Sequence, residues 1–337
     1  MLPLSRRGFV GLSAALFAVA RTGPALAQVR RITIGTNPQG TEYYVVGGGI
    51  AKMFSEKLGV QSIVQPYAGS SVYLPLIQDG EITMGLSSSL DSGGAYRGEQ
   101  GRAPMTKLRA LARLWSLPYG YIVRADSGIR NIADLRGKRV VIDIRANAAL
   151  ADVNRAMLAV GGLGDADVRP VTMGGVPQGV QAVAEGTADA APVAVGIPAT
   201  REANASIPGG IRYVNLAGAN ATDAFLGAKA AGVFAYRVEP AANLPEVPEP
   251  VTVSAFDVFM MTSAELSQRD VERLLAALRD NFAELQKDYP SLRRGDPAKL
   301  GAPTNTVPYH PAAVAFFKAQ GQWSAANDAH EQRIAKR

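Results

Sequence analysis

The chain has no cysteine among its 337 residues. Disulfides, cysteine nucleophiles and cysteine-ligated metals are excluded at once. Histidine is nearly as scarce, with two in all, His310 and His330. His330 opens "HEQRI", which lacks the second histidine of a metalloprotease helix. His310 follows "VPY" and precedes Pro311, and reads as structural rather than as a base. No G-x-S-x-G nucleophile elbow occurs. No complete G-x-x-x-x-G-K-[ST] phosphate loop occurs either, although "GGGIAK" resembles part of one. Its glycines, Gly47–Gly49, fall inside a helix-forming stretch, where close packing against a sheet is the expected use. Gly35, Gly40 and Gly47 are too widely spaced for a dinucleotide loop. The acidic residues are scattered, without metal-ligand spacing. No cofactor and no metal are expected, and binding is favoured over catalysis.

The charge excess is also slight. The chain holds 35 Lys+Arg against 29 Asp+Glu, and three of the arginines lie within residues 1–27, leaving 32 against 29 beyond them. No basic run with interleaved aromatics appears, so no nucleic-acid partner is expected. What is present at the N-terminus is an export signal. Arg6 and Arg7 precede an apolar stretch, Val10–Ala20, and Ala25 and Ala27 stand in the A-x-A spacing before Gln28. The paired arginines suggest the twin-arginine route. The apolar stretch is shorter than the roughly 20 residues that span a bilayer. Residues 1–27 therefore read as a removed signal and the rest as a periplasmic chain.

Beyond the signal the sequence states one plan twice. First come "RITIG", a glycine loop, a helix through Lys57, "QSIVQPY", "AGSSVYLPLIQDGE" and "ITMGLSSS". Then come "KRVVIDI", a loop at "RANA", a helix from about Ala148 to Val160, "DVRPVTM", "GGVPQGVQAVAEGT" and "ADAAPVAV". The apolar, β-branched strands lack alternation, as in parallel sheets covered on both faces. Leu150, Val153 and Met157 mark one helical face between them. Two such units predict an α/β chain of two lobes, each a mostly parallel sheet flanked by helices. The chain is expected to cross between lobes near Tyr121–Arg124 and to return in the Pro-rich stretch ending in "VTVSAFDVFMMTS". This assigns residues 28–122 and 257–337 to lobe 1 and 123–256 to lobe 2, joined by a two-strand hinge. A strong amphipathic helix follows, capped by Ser267 with Asp270 three residues on, ending before Pro290.

Hinged lobes close on ligands, and in parallel α/β folds ligands sit at the carboxyl ends of strands. Here those ends open helices, whose free N–H groups attract anions. A small carboxylate is the expected guest. Thr36, Asn37 and Gly40 are candidate cleft residues of the first loop. Of Tyr43 and Tyr44, one is expected to face the ligand and one to pack. Ser70 and Ser71 are helix-opening donors or simple caps. Gly196 lets a backbone approach the ligand or only turns the chain.

Four stretches, in order, then carry a family resemblance: "IGTNPQGTEYYVVGGGIA", "QPYAGSSVYLPLIQDGEITMGLSSSLDSGGAYRGE", "SGIRNIADLRGKRVVI" and "VPYHPAAVAFFKAQGQW". Together they resemble the TAXI-type solute receptors of TRAP transporters and span nearly the whole mature chain. The resemblance implies a type II-like periplasmic binding protein that captures an organic acid or amino acid for TRAP membrane permease subunits. A monomer is expected. The departures are specific. The family's Gly-Gly-Thr-Tyr-Tyr is Gly40, Thr41, Glu42, Tyr43, Tyr44 here. Its Gln-Ser-Asp near the third strand is Ser88, Ser89, Leu90. Its Gly-Ser-Gly-Thr-like loop is "IRANAAL", which brings Arg145, either a bidentate grip on a carboxylate or a solvated loop residue, and Asn147, a plausible cap. Leu90, Trp115 and Tyr119 hint at a less polar acid. Glu42, if it faces inward, requires a guest with a donor or a positive group. A transferase-type enzyme on the same scaffold, and a ligand-sensing partner of a membrane receptor, remain the alternatives.

Overall fold

The computed structural model describes residues 31–99 and 101–336; the export signal lies outside the described residues. The first half runs β1 (Arg31–Thr36), α1 (Glu42–Leu58), β2 (Gln61–Pro66), α2 (Ser70–Gln78), β3 (Met84–Ser88), α3 (Ser89–Arg97) and β4 (Leu108–Arg124). The second runs β5 (Arg139–Ile144), α4 (Leu150–Val160), β6 (Arg169–Met173), α5 (Val176–Ala184), β7 (Ala191–Ala194), α6 (Pro198–Ser206), β8 (Ile211–Tyr213), α7 (Asp223–Lys229) and β9 (Phe234–Val238). Then β10 (Val251–Ser263) returns, followed by α8 (Gln268–Asp288), α9 (Pro311–Ala319) and α10 (Ala325–Ala335).

The sheet arrangement differs from two separate parallel sheets. One mixed sheet of eight strands runs in the order β2-β1-β3-β10-β4-β7, with β8 on β4 and β9 on β10. The strands β4 and β10, of 17 and 13 residues, are long enough to serve both lobes. A chain that leaves and returns runs these two strands in opposite directions, so they pair antiparallel over Leu108–Tyr119. Parallel pairing is kept where βαβ units build it, in β1 with β2 and β3, and in β5 with β6. The β5–β6 pair joins the rest through a bridge between Val140 and Ala190.

Partner strands change along the two crossing strands. On β10, Val258–Thr262 pair with β3 and Val251–Ala255 with β9. On β4, Tyr119–Ile122 pair with β7 and Ile122–Arg124 with β8. The change of partner falls between Ala255 and Val258 on β10 and at about Tyr119 on β4. Beside it sits a buried ionic knot. Asp257 Oδ1 accepts from Arg113 Nη2 at 2.8 Å and from the Ser116 hydroxyl at 2.9 Å. Its Oδ2 meets Arg113 Nε at 2.8 Å and accepts from the Thr304 hydroxyl at 2.7 Å.

The helices follow their sequence signals. A Cβ on Gly47 would stand 2.6 Å from Thr36 Cγ2 and 3.0 Å from Val64 Cγ2, so α1 lies directly on β1 and β2 at that glycine. On α8, Val271, Leu274, Leu275, Leu278, Phe282 and Leu285 are buried on one face. Ser267 Oγ accepts from the Asp270 N–H at 3.1 Å and donates to Asp270 Oδ2 at 2.6 Å. Ser267→Ala should cost about 1 kcal/mol of stability, read as a lowered urea midpoint with unchanged slope. A loss below the error of that measurement would mean that packing alone holds the start of α8.

Candidate functional site

Strands β1, β3 and β5 each hand over to a helix start. After β1, Thr41 caps α1: its hydroxyl donates to the Pro38 carbonyl at 2.6 Å and accepts weakly from the Tyr44 N–H at 3.4 Å. After β3, Ser88 caps α3, accepting from the Asp91 N–H at 2.9 Å and donating to Asp91 Oδ2 at 3.0 Å. After β5, a short turn, Arg145–Asn147, leads into α4. Gly175 precedes α5 and Ile197 precedes α6.

These starts converge on one cavity of about 50 Å³ between the lobes. Lobe 1 lines it with Asn37, with Thr41, Glu42 and Tyr43 of the α1 start, and with Asp91 of α3. Lobe 2 contributes Asn147 and Leu150 at α4, Val176 at α5, Ala194 at the end of β7, and Ile197 at α6. The crossing strands supply Leu117, Tyr119 and Phe256. The rings of Tyr119 and Phe256 lie 5.6 Å apart, and Tyr43 packs edge-on against Trp115 at 5.9 Å. A larger cavity of about 300 Å³, lined by residues including Tyr96, Phe234 and His330, shares no lining residue with this one. The smaller cavity is the better site, because the helix starts and the buried polar atoms described next belong to it.

The lobes touch around it. Asn147 Nδ2 donates to the Ser70 hydroxyl at 2.8 Å. The Ala148 N–H reaches Ser71 Oγ at 3.4 Å, and the Ala199 N–H reaches the Gly40 carbonyl at 3.4 Å. These contacts describe a closed cleft. Gly69, just before α2, has room for no side chain: a Cβ there would lie 2.1 Å from the Ala146 carbonyl oxygen of the other lobe.

Two carboxylates dominate the electrostatics. Glu42 is buried and paired through Oε1 with Arg294. Burial pushes its carboxyl pKa up, while Arg294, the Ser291 hydroxyl and the Trp115 indole oppose that shift. Asp91 is buried too; burial raises its pKa, while the Ser70 and Ser88 hydroxyls, Arg102 and the Ala149 N–H of lobe 2 restrain the rise. Glu42 Oε2, Asp91 Oδ1 and the Tyr119 hydroxyl are buried without a well-formed hydrogen bond. Each such atom costs about 1–3 kcal/mol if left unsatisfied. No lysine, arginine or histidine lines the cavity. Among the described residues no cluster of His, Asp or Glu is placed to hold a metal.

The residues expected from sequence divide accordingly. Asn37, Tyr43 and Asn147 line the cavity. Tyr44 is the member of its pair that does not; its hydroxyl accepts from Gln39 Nε2 at 3.3 Å. Thr36 is fully buried under α1, outside the lining. Gly40, Ser70 and Ser71 serve the contact between lobes. Ser88 is occupied as a cap, and Ser89 is buried outside the lining. Gly196 turns the chain with φ of 77° and leaves the lining to its neighbour Ile197. Arg145 is exposed and outside the lining, so the solvated-loop alternative fits it. Leu90 and Trp115 are likewise outside. Asp91 was not singled out by sequence; its signal was the Ser-x-x-Asp cap pattern of Ser88 and Asp91 at a strand end. His310 caps α9, its Nδ1 accepting from the Ala312 N–H at 3.2 Å, and lines neither cavity.

A family model described as NMT1-like matches residues 34–321. The chain belongs to the NMT1-like family. Solved structures similar to this NMT1-like chain share its fold at low identity. The periplasmic binding protein BugD aligns with a TM-score of 0.57 and 13% identity over 92% of this chain and 98% of its own. MatC from Rhodopseudomonas palustris, with bound malate, aligns with a TM-score of 0.56 and 13% identity over 91% of this chain and 99% of its own. The alkanesulfonate-binding protein SsuA from Xanthomonas axonopodis pv. citri, bound to MOPS, aligns with a TM-score of 0.50 and 16% identity over 92% and 85%. The shared architecture is the bilobal α/β fold of solute-binding proteins. Among the described residues of the NMT1-like chain no helix is long and apolar enough to cross a membrane.

Proposed function

We propose that this chain is an exported periplasmic receptor that closes its lobes over a small organic acid or amino acid and delivers it to a TRAP-type membrane permease. The observation that carries the reading is the convergence of five helix starts and three buried polar atoms without a well-formed hydrogen bond on one cavity between the lobes. N–H groups at a helix start, such as that of α5 at Val176, suit the carboxylate end of a guest. The two strand crossings permit opening for entry and release. The export signal and the four family stretches support the periplasmic address and the TRAP partner. Malate in MatC and MOPS in SsuA carry anionic groups and are held in similar folds. The transferase alternative loses its best base, because His310 is a helix cap outside the cleft.

A thermal-shift screen of the purified protein against organic and amino acids tests the reading. A true ligand at 100 times its dissociation constant should add about 2.7 kcal/mol of stability. A broad panel with no stabilising member would overturn the receptor assignment.

A further inference from the structure

We propose that the guest carries a protonated nitrogen, and that Asp91 and Glu42 receive it. This deepens the receptor reading and rests on it. The cavity lining contains two carboxylic side chains and no basic one. Asp91 is 2% exposed and Glu42 4% exposed, so both are shielded from bulk solvent. Each keeps one carboxylate oxygen, Asp91 Oδ1 and Glu42 Oε2, without a well-formed hydrogen bond. The other oxygens are engaged, Asp91 with the Ser88 hydroxyl and Glu42 with Arg294, and the Ser70 hydroxyl and Ala149 N–H stand beside Asp91 as the Ser291 hydroxyl and Trp115 indole stand beside Glu42. A carboxylate accepts hydrogen bonds and donates none. A guest built only of carboxylates would bring further acceptors against these two oxygens and leave all of them unpaired. An ammonium or amidinium group brings donors and the opposite charge. Three aromatic residues, Tyr43, Tyr119 and Phe256, share the lining, and an aromatic ring face attracts a cation.

A zwitterion uses both halves of the site. Its nitrogen meets the acids, and its carboxylate meets the start of α5 at Val176, where no acidic side chain lines the cavity. The small volume, about 50 Å³, admits only a compact guest. The chemical class is thus a compact amino acid, distinct from malate and from sulfonates.

The test is calorimetry and thermal shift on the purified protein with matched pairs: each amino acid beside the 2-hydroxy and 2-oxo acid of the same skeleton. The expected result is that every binder carries the nitrogen, and that its removal weakens binding at least 100-fold. Asp91→Asn should lower the affinity of the nitrogenous member at least 30-fold and leave nitrogen-free acids no weaker. Because the wild-type pairs alone decide the matter, a poorly folded variant does not rescue the proposal. Nitrogen-free acids that bind as well as their partners would overturn it and leave the receptor standing, with Asp91 then protonated and donating to the anion. If neither series binds, the receptor reading fails, and this proposal with it.

Discussion

Gly69→Ala is expected to leave both lobes folded and to lower ligand affinity about 100-fold or more, by removing the closed state from the population that can bind. The backbone at Gly69, with φ 173° and ψ 174°, is extended and open to any residue, so alanine brings no local strain. The obstacle is wholly across the cleft. The new Cβ would lie 2.1 Å from the Ala146 carbonyl oxygen and 2.5 Å from Asn147 Oδ1. The Ala146 carbonyl is backbone, in a residue tied by its N–H to the Gly174 carbonyl at 3.0 Å, and cannot swing aside like the tip of a side chain. The neighbouring Asn147–Ser70 hydrogen bond would be lost with it. Small-angle scattering should show a variant that stays open when the wild-type ligand is added, and calorimetry should show the lost affinity. Wild-type affinity in Gly69→Ala would mean that binding does not use this closure.

The second large effect is on stability. Asp257→Ala should destabilise the protein by about 3–5 kcal/mol, because it strands a half-buried guanidinium. Asp257 answers Arg113 with both oxygens, Nε and Nη2 each at 2.8 Å, and also accepts from Ser116 and Thr304. The side chains of Arg113 and Asp257 are 15% and 6% exposed, so water replaces little of what is removed. Replacing both partners with apolar residues, Arg113→Met with Asp257→Leu, should recover part of the loss, since a missing pair is less harmful than half of one. Chemical denaturation of the single and double variants measures this. An Asp257→Ala protein within about 1 kcal/mol of wild type, where a stranded charge should cost about 3 kcal/mol or more, would mean that the crossing relaxes to solvate Arg113.

Much of the architecture is legible in the sequence where period and punctuation agree. The Ser267 cap with its apolar stripe is α8, and the doubled strand–loop–helix plan is the two lobes. The joining of both lobes by one sheet is hidden, because strand length across Pro118 depends on partners far away in sequence. In the site, the loops are legible but the directions of side chains are not. Tyr43 and Tyr44 are adjacent on a helix, and only packing against Trp115 decides which one turns inward. Ser70 and Ser71 look like donors to a ligand and instead meet Asn147 and Ala148, a pairing between distant segments that no local pattern records. Arg145 draws notice by its charge, while Asp91 and Glu42, ordinary acids in helix first turns, hold the buried positions.

The paired crossing of β4 and β10 also has a mechanical meaning. A single tether would let one lobe swivel in any direction. Two strands bonded side by side behave as a leaf spring, soft to bending and twisting along one axis and stiff to the others. The register shifts at Val258/Phe259 and Met260/Met261 interrupt the ladder just beside the crossing, where such a spring would flex. The angle between lobes then becomes nearly a single coordinate. A membrane partner that contacts both lobes could sense occupancy from that angle alone, without touching the solute.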